Sequence, residues 1–353
     1  MKNTTTNPDY YIGIDYHKSF SQVHVLDREN RSVWKGKIKH EEMELFDDLI
    51  TKHTKGKCWA TLESTMNWHI LYDYLKAIDL VDEVLLANPL KIRLICEAQI
   101  KNDKVDALKL AQLLRLDMLP RVHASSLEAR ELKEIVRQRH QWFCQRVQIR
   151  NRTHRLLGSV PNLEIPKYSD LFGTRGLNFS EKCDLPYPKN IQLKQNIDQL
   201  KGLNEVIRNL EKELTLQSKT SETLCRIQTI PGIGKVLGAI IDAEIDDVKR
   251  FETKAKFVAY CGLAPKTSSS AGKTYQGRMM THCNKWLKTA FIEASWVAIG
   301  CDHYFGNLRT KHQLRGKKAN TTITVVARRM AQICWELLNQ QRDYQPKLST
   351  ACS

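Results

Sequence analysis

The sequence predicts an α/β region near the amino end of the chain and an all-helical region after it. Short apolar runs rich in β-forming residues occur within residues 10–120, whereas helical periodicity and glycine–proline turns dominate beyond them. The third observation is a formal net charge of +16 over 353 residues, which favours a polyanionic partner. The length allows two or three domains, each with its own core.

Five strands are predicted in the α/β region, at residues 10–14, 23–26, 33–38, 58–62 and 84–87. The first three follow each other closely, as in an antiparallel meander with a turn at residues 27–30. A helical pattern at residues 68–77 separates the last two, which predicts a parallel crossover. A meander followed by β-α-β is the strand order of the RNase H-like fold, so we predict that fold for a domain at residues 8–122.

Two long helices are predicted in a helical region at residues 123–220. The first covers residues 126–157, and its face suits a phosphate backbone because Trp142 and Phe143 lie among arginines without any acid between them. These arginines are Arg137, Arg139, Arg146, Arg150, Arg152 and Arg155. The alternative is a solvated charged surface.

The second long helix covers residues 190–219. Its apolar residues step by three and four with one break in the heptad phase, at positions 193, 197, 200, 203, 207, 210 and 214. This stripe predicts either a helical hairpin within the chain or a short coiled coil between protomers.

A third domain is predicted at residues 221–345. The turn I-P-G-I-G at residues 230–234, followed by a helix at 236–243, is similar to a helix-hairpin-helix, in which Gly232 and Gly234 let backbone N–H groups and Lys235 approach a phosphate. A plain helix corner is the alternative. Beyond it we predict a small-residue loop at 266–272, helices at 284–299 and 321–338, and a basic stretch between these helices.

Four carboxylates have the spacing of a two-metal nuclease. Asp15 and Glu63 each end a predicted strand, and Asp103 and Asp106 lie three apart at the start of a helical pattern. Such groups can converge on one point, bind a hard divalent cation through oxygen, and so clamp a phosphodiester. For each acid taken alone, the alternative is a helix cap or a solvated surface charge.

The order of the motifs resembles that of the DEDD transposases, which comprise the bridge-RNA-guided insertion-sequence recombinases and the Piv-type DNA invertases. The shared features extend over nearly the whole chain: the Y-I-G-I-D start, K-N-D-K-V-D-A, the I-P-G-I-G turn, G-L-A-P followed by serines, then G-K, Q-G-R and N-K-W-L. Together, their order and spacing carry the resemblance.

The resemblance implies specific roles for residues that match its motifs. It implies that Asp15, Glu63, Asp103 and Asp106 are the RuvC-like ligands of Mg²⁺, with Mn²⁺ as an alternative. Ser270, five positions after Pro265, matches the nucleophilic serine of the family, while Ser268 and Ser269 remain alternatives. Candidate nucleic-acid contacts from the matching segments are Lys18, Lys273 and Arg278. For Lys18, an ordinary surface lysine is equally consistent with the sequence.

The resemblance also implies partners and a reaction. A homotetramer, built as a dimer of dimers, would join the acids of one protomer to the serine of another. A noncoding bridge RNA would pair with double-stranded donor and target DNA. Attack by serine would give a phosphoserine that conserves the phosphodiester energy, in agreement with the lack of an ATP-binding G-x-x-x-x-G-K-[ST] sequence.

Three other functions remain open from the sequence. A RuvC-like nuclease or junction resolvase would use metal-activated water without a serine, an invertase would act without RNA, and a nucleic-acid-binding protein would not catalyse at all. The ten cysteines are scattered without a C-x-x-C pair, and no apolar window reaches the length of a membrane span. We therefore expect a cytoplasmic protein with neither a zinc site nor a disulfide framework.

Overall fold

The structure, a computed structural model, describes residues 7–95, 103–270 and 273–346. The chain divides into two units, residues 1–124 and residues 125–353. The predicted end of the first domain at residue 122 lies close to this boundary. The further boundary predicted at residues 220/221 lies inside the second unit and stays a prediction.

The first unit is built on a six-stranded mixed sheet with the order β3-β2-β1-β4-β5-β6. The strands are β1 (Tyr10–Tyr16), β2 (Phe20–Asp27), β3 (Ser32–Lys39), β4 (Cys58–Glu63), β5 (Val81–Ala87) and β6 (Arg121–Val122). Antiparallel pairing joins β1 to β2 and β2 to β3, whereas β1, β4 and β5 are parallel. The five predicted strands are confirmed, and the short β6, antiparallel to β5, was not predicted. This topology is consistent with the RNase H-like fold.

Helices cover both faces of the sheet in the first unit. They are α1 (Leu45–His53), α2 (Trp68–Lys76), α3 (Pro89–Ile95) and α4 (Asp103–Arg115). Ile12 and Ile14 pack with Phe46 of α1 and Leu71 of α2 on one face. Since successive strand residues point to opposite faces, the odd-numbered residues of β1 lie on the other face, against α4.

The second unit is mostly helical, as predicted. Its helices are α5 (Leu127–Gly158), α6 (Thr174–Lys182), α7 (Lys189–Thr220), α8 (Glu222–Gln228), α9 (Lys235–Ile245), α10 (Lys254–Tyr260), α11 (Lys285–Cys301), α12 (His303–Leu314) and α13 (Ala319–Gln340). Helix α5 begins after Ser126, whose hydroxyl accepts a hydrogen bond from the backbone N–H of Ala129. The core of the second unit lies among α8 to α13, where Phe257, Phe291 and Phe305 are fully buried.

The apolar stripe of α7 is buried within the chain. Leu193 and Ile197 pack with Ile149 in the carboxyl half of α5, whereas Leu214 packs with Leu132 near the start of α5. The two helices therefore run antiparallel. Of the two alternatives predicted for this stripe, the packing within the chain is that of the helical hairpin, and contacts between protomers stay a prediction.

The small-residue loop predicted at residues 266–272 is wrong for its described part. Residues Pro265–Ser270 form β7, which pairs antiparallel with β8 (Lys273–Met279) in a two-stranded hairpin. The threonine and tyrosine of these segments favour strands, and only two residues separate the strands, as in a tight β-hairpin. The composition of serines beside a glycine concealed this pattern.

No helix in the described parts of the chain has the length and apolar character needed to cross a membrane.

Candidate active site and nucleic-acid interface

Asp15 and Glu63 lie at the same end of neighbouring strands. Strands β1 and β4 pair in parallel, with Gly13 beside Thr61 and Ile14 beside Leu62, so Asp15 and Glu63 follow as the next pair in register. Residues in register on adjacent strands point to the same face, so the two carboxylates share a face as well as an edge.

Helix α4 packs directly on this face of β1, at Gly13. A Cβ atom added to Gly13 would overlap the carbonyl oxygen of Ala107 and the backbone nitrogen of Ala111, and would lie 3.0 Å from the Cβ of Ala111. Only a residue without a side chain allows the helix backbone to come this close. Gly13 therefore sets the distance between α4 and the strand that carries Asp15 near its carboxyl end.

The amino end of α4 points toward the carboxyl end of β1. Tyr11, at the start of β1, packs with Leu110 and Leu114 in the second half of α4, on the same face as Gly13. Continuing along β1 to Asp15 therefore leads toward the first turn of α4, which carries Asp106. The direction of α4 is consistent with the predicted meeting of the strand-end acids with the helical acids, and this meeting stays a prediction.

Basic side chains lie beside two of these acids. The side chain of Asp15 is 19% exposed, and its Oδ2 lies 3.2 Å from Nε2 of His17. Oδ1 of Asp106 lies 3.3 Å from Nζ of Lys109. Lys18 is exposed in the turn between β1 and β2. A phosphate that reached this edge would meet both cationic and carboxylate side chains.

The donor set suits a hard divalent cation by chemistry and by backbone placement. Carboxylate oxygens are the ligands that Mg²⁺ and Mn²⁺ prefer; Asp15 and Glu63 lie at the carboxyl ends of β1 and β4, and Asp106 lies in the first turn of α4, which packs on β1. Among the side chains that the structure describes, no three metal-ligating groups lie close enough together to hold an ion. The side chain of Asp103, the fourth predicted ligand, lies outside the described residues.

The serine hairpin, defined as β7 and β8, belongs to the second unit. Ser270 is the last residue of β7 and pairs with Lys273, the first residue of β8. Ser268 and Ser269 precede it in the same strand, paired with Tyr275 and Thr274. The side chains of residues 267–276 and of Arg278 lie outside the described part of the chain, so the nucleophile assignment and the contacts of Lys273 and Arg278 stay predictions.

The I-P-G-I-G turn joins α8 to α9, as predicted. Gly232 has a φ of 85°, in the left-handed region, and a Cβ there would overlap the carbonyl oxygen of Ala294 in α11. Gly234 and Lys235 are exposed at the start of α9, where the first turn carries no acid. An exposed helix amino end beside a lysine is suited to a phosphate, so the predicted role of this turn remains open.

Two of the predicted DNA-binding arginines join α5 to α7. Nε of Arg139 donates to Oε1 of Glu211 at 3.0 Å, and Nη1 of Arg146 donates to Oδ1 of Asn204 at 3.2 Å. Burial lowers the pKa of Arg146, and neighbouring arginines lower it further. These side chains therefore help to hold the helical hairpin together, and their role in binding a nucleic acid stays a prediction.

The remaining arginines of α5 divide between internal contacts and solvent. Nη2 of Arg150 lies 3.5 Å from Oδ2 of Asp170, while Arg152 and Arg155 are exposed. Nη2 of Arg137 donates to the buried carboxylate of Glu244 at 3.0 Å. Of the six, Arg137, Arg152 and Arg155 are exposed, and Arg137 already contacts Glu244.

Sequence reasoning named the basic stretch between α11 and α13 but did not propose it as a contact surface. The chain has no acid from residue 303 to residue 335, and the turn from α12 to α13 exposes Lys311, Arg315, Lys317 and Lys318. Partial burial and the charges of Lys317, Arg315 and Lys311 lower the pKa of His312. The only signal in the sequence was this long run without acids.

Comparison with known proteins covers both units. A family model described as Transposase IS116/IS110/IS902 family matches residues 225–309, and a DEDD transposase model of the IS110 type, described as Transposase, matches residues 12–161. The chain is 23% identical to a probable family 20 transposase of Pseudomonas aeruginosa over 340 residues, or 95% of this chain and 98% of the relative. It is also 23% identical to the transposase for insertion sequence element IS1328 of Yersinia enterocolitica, over 93% of this chain and 96% of the relative.

A more similar but shorter match is the transposase for insertion sequence element IS1533 of Leptospira borgpetersenii, 35% identical over 109 residues, or 30% of each chain. The chain combines a mixed sheet, with acids at the carboxyl ends of two central strands, and a helical unit that follows it. Together with the family matches, this architecture defines a transposase, an enzyme that acts on DNA. The chain belongs to the IS110/IS116/IS902 family of transposases, with a DEDD domain at its amino end. The family implies binding of DNA and use of a divalent metal.

Proposed function

We propose that this transposase cuts and rejoins DNA through a covalent bond between Ser270 and a DNA phosphate. Asp15, Glu63, Asp103 and Asp106 would hold Mg²⁺, or Mn²⁺, beside that phosphate. The observation that carries the proposal is the placement of Asp15, Glu63 and the first turn of α4 at one edge and one face of the sheet. The family match supports it over both units.

The proposed reaction consists of two transesterifications. Oγ of Ser270 attacks phosphorus, the P–O bond to a deoxyribose oxygen breaks, and the serine proton ends on the departing oxygen. A hydroxyl from a second DNA end then attacks the phosphoserine and releases Ser270. The number of phosphodiester bonds is unchanged, so no ATP is required. A bound Mg²⁺ supplies positive charge that stabilises the extra negative charge on the phosphate oxygens.

The proposal includes a bridge RNA that pairs with donor and target DNA, and a tetrameric assembly. Exposed cations on the second unit, among them Arg152, Arg155 and Lys235, suit phosphate backbones whose sequence is read by an RNA. The apolar stripe of α7 is buried within the chain, so a tetramer would have to use other surfaces.

A serine substitution tests the covalent step directly. Ser270→Ala should abolish the covalent protein–DNA adduct seen on a denaturing gel with end-labelled DNA, because no other hydroxyl occupies that position, while the dissociation constant for DNA stays unchanged. Ser268→Ala and Ser269→Ala are matched controls from the same strand and should keep the adduct. Recombination by the Ser270→Ala protein would refute the assignment; DNA cutting without an adduct would favour the nuclease or resolvase.

A second experiment tests the metal ligands and the guide. Asp15→Ala should remove Mg²⁺-dependent activity, and unchanged activity would favour a non-catalytic binding protein. The purified protein should carry a defined RNA, and nuclease treatment that removes this RNA should stop recombination. Full activity of the RNA-free protein would favour the RNA-independent invertase.

A further inference from the structure

Glu244 is a buried carboxylate that no predicted role explains. It lies in α9, is 7% exposed, and belongs to the core of the second unit. Oε1 accepts a hydrogen bond from Arg137 of α5 at 3.0 Å, and Oε2 accepts one from Nδ2 of Asn284 at 2.8 Å. Removing a carboxylate from water is costly, and an apolar pair of the same volume is often equally stable. Unlike an apolar pair, the carboxylate of Glu244 fixes the direction of its two hydrogen-bond partners, Arg137 and Asn284.

Asn284 joins the two stems of the serine hairpin, which are the segments that lead into and out of it. It lies shortly after β8, and its backbone N–H donates to the carbonyl oxygen of Tyr260, which lies shortly before β7. Its Nδ2 lies 3.3 Å from the hydroxyl of Tyr260, and its Oδ1 accepts the N–H of Leu287 and caps α11. The two stems of the hairpin are thus held at one side chain, and that side chain is held by Glu244.

The two stems also approach each other closely below the hairpin. Gly262 has a φ of 67°, and a Cβ there would overlap the sulfur of Cys283. Beyond this point the strands pair from Pro265 and Met279 onward. A change in the direction of Asn284 would therefore be transmitted to the hairpin that carries the serines, because the stems have little room to absorb it.

Arg137 connects the same carboxylate to the arginine-rich helix. Its guanidinium lies 5.9 Å from the ring centre of Trp286, in the first turn of α11. The charge of Glu244 also acts on Lys133 of α5: burial lowers the pKa of this lysine, and the carboxylate of Glu244 opposes that change. Arg250 donates to the backbone carbonyl of Glu244 at 2.9 Å. Arg137 therefore contacts the carboxylate of Glu244 from α5 and Arg250 contacts its backbone, while the neutral amide of Asn284 contacts the carboxylate from the hairpin side.

We propose that Glu244 and Asn284 are positioning residues for the serine hairpin and that Glu244 couples the hairpin to α5 through Arg137. This inference rests on the proposed serine chemistry for its kinetic test. It predicts that the hairpin requires a donor at one of residues 244 and 284 to face an acceptor at the other, whereas the fold of the unit tolerates a mismatch.

An exchange of the two polar groups tests the inference. Glu244→Gln leaves one acceptor oxygen for two donors, Arg137 and Asn284, so that an amide NH₂ group faces one of them. Asn284→Asp sets two carboxylates against each other and keeps the N-cap of α11, because aspartate caps helices well. The double variant restores a donor facing an acceptor. Each single variant should form the covalent DNA adduct about tenfold more slowly at saturating DNA, as expected for a lost buried hydrogen bond, and the double variant should recover to within about threefold of the wild-type rate.

Glu211→Gln is the matched control, because it breaks another ion pair of an α5 arginine, Arg139, within the same unit. It should form the adduct at the wild-type rate. All rates are measured well below the melting temperature of each variant, with the dissociation constant for DNA expected to stay constant. A purely structural pair would change the melting temperature and leave the adduct rate of the folded protein unchanged, and that result would overturn the inference.

Amide hydrogen exchange of residues 273–279 separates this inference from the proposed function. Exchange of β8 should become faster in both single variants and return toward the wild-type rate in the double variant. If this pattern holds while wild-type protein forms no adduct at Ser270, the positioning inference stands and the serine chemistry fails. If the adduct depends on Ser270 but neither rate nor exchange responds to the swap, the positioning inference alone is refuted.

Discussion

Gly13→Ala is the substitution whose effect follows most directly from the structure of the first unit. The new methyl carbon would lie 3.0 Å from the Cβ of Ala111, where carbon atoms normally keep about 3.5–4.0 Å apart, and it would overlap the backbone of α4 itself. No side-chain rotation relieves contact with a helix backbone. Helix α4 would therefore have to withdraw from β1 by about 1 Å, with a cost near the upper end of the about 1–3 kcal/mol found for overpacked cores.

The functional cost of Gly13→Ala follows from the position of the acids. Because Asp106 moves with α4 and Asp15 stays on β1, the withdrawal separates the proposed metal ligands, and misplacement by about 1 Å can reduce activity by about 10²-fold. Urea unfolding followed by the amide protection of residues 10–27 should show a midpoint lower by about 1–3 M, given slopes of about 1–3 kcal/mol per molar. The Mg²⁺ dependence of adduct formation should shift to higher concentration.

Gly202→Ala is the control for this experiment. Gly202 lies in α7, and a Cβ added there meets no atom within 4 Å. Alanine should stabilise that helix by about 0.5–1 kcal/mol without any effect on metal-dependent activity. If Gly13→Ala left both the unfolding midpoint and the Mg²⁺ response at wild-type values, the close packing of α4 against β1 would be wrong, and so would its role in placing the acids.

Three further predictions concern the second unit. Gly232→Ala should destabilise it by about 2 kcal/mol or more, since φ is 85° and a Cβ meets backbone there; an unchanged melting temperature would contradict the described turn. Burial raises the pKa of Asp242 from 3.8 to about 6, so the folded unit binds this proton more tightly than the unfolded chain does, and stability falls as pH rises from about 4 to about 6. Asp242→Asn should remove that fall and raise the free energy of unfolding at pH 7 by about 1–3 kcal/mol, with both proteins equal near pH 4 in urea titrations; a difference independent of pH would refute the cause. Arg315→Glu with Lys317→Glu should weaken DNA binding at low salt and reduce the slope of log affinity against log salt by about 2, and an unchanged slope would exclude the turn from α12 to α13 as a contact surface.

The order of strands was predictable because each strand is a local pattern of apolar, β-forming residues. The same patterns located Asp15 and Glu63 at strand ends, since a carboxylate after a buried run marks where the strand reaches solvent. Their shared face, however, depends on the register between β1 and β4, which no local pattern reports. The direction of α4, which brings Asp106 to the same end, depends on packing between Tyr11 and Leu114.

The serine hairpin shows why composition misled the prediction. Serine and glycine occur mainly in turns, so residues 266–272 read as a loop, although Thr267, Thr274 and Tyr275 have side chains typical of strands. A strand in a hairpin is stabilised by its partner across the ladder, and that partner is only evident once the chain has turned back.

By itself, the sequence determined the kinds of elements, the acids at strand ends, the apolar stripe of α7 and the motifs of a DEDD transposase, because these depend on periodicity and residue type over short distances. Only the tertiary structure decided that the stripe packs against α5 of the same chain, that several arginines of α5 hold internal contacts, and that Glu244 is buried. A glutamate in a helix looks the same in sequence whether water or a neighbouring helix faces it. Burial and partners arise from residues far apart along the chain, and so only folding can reveal them.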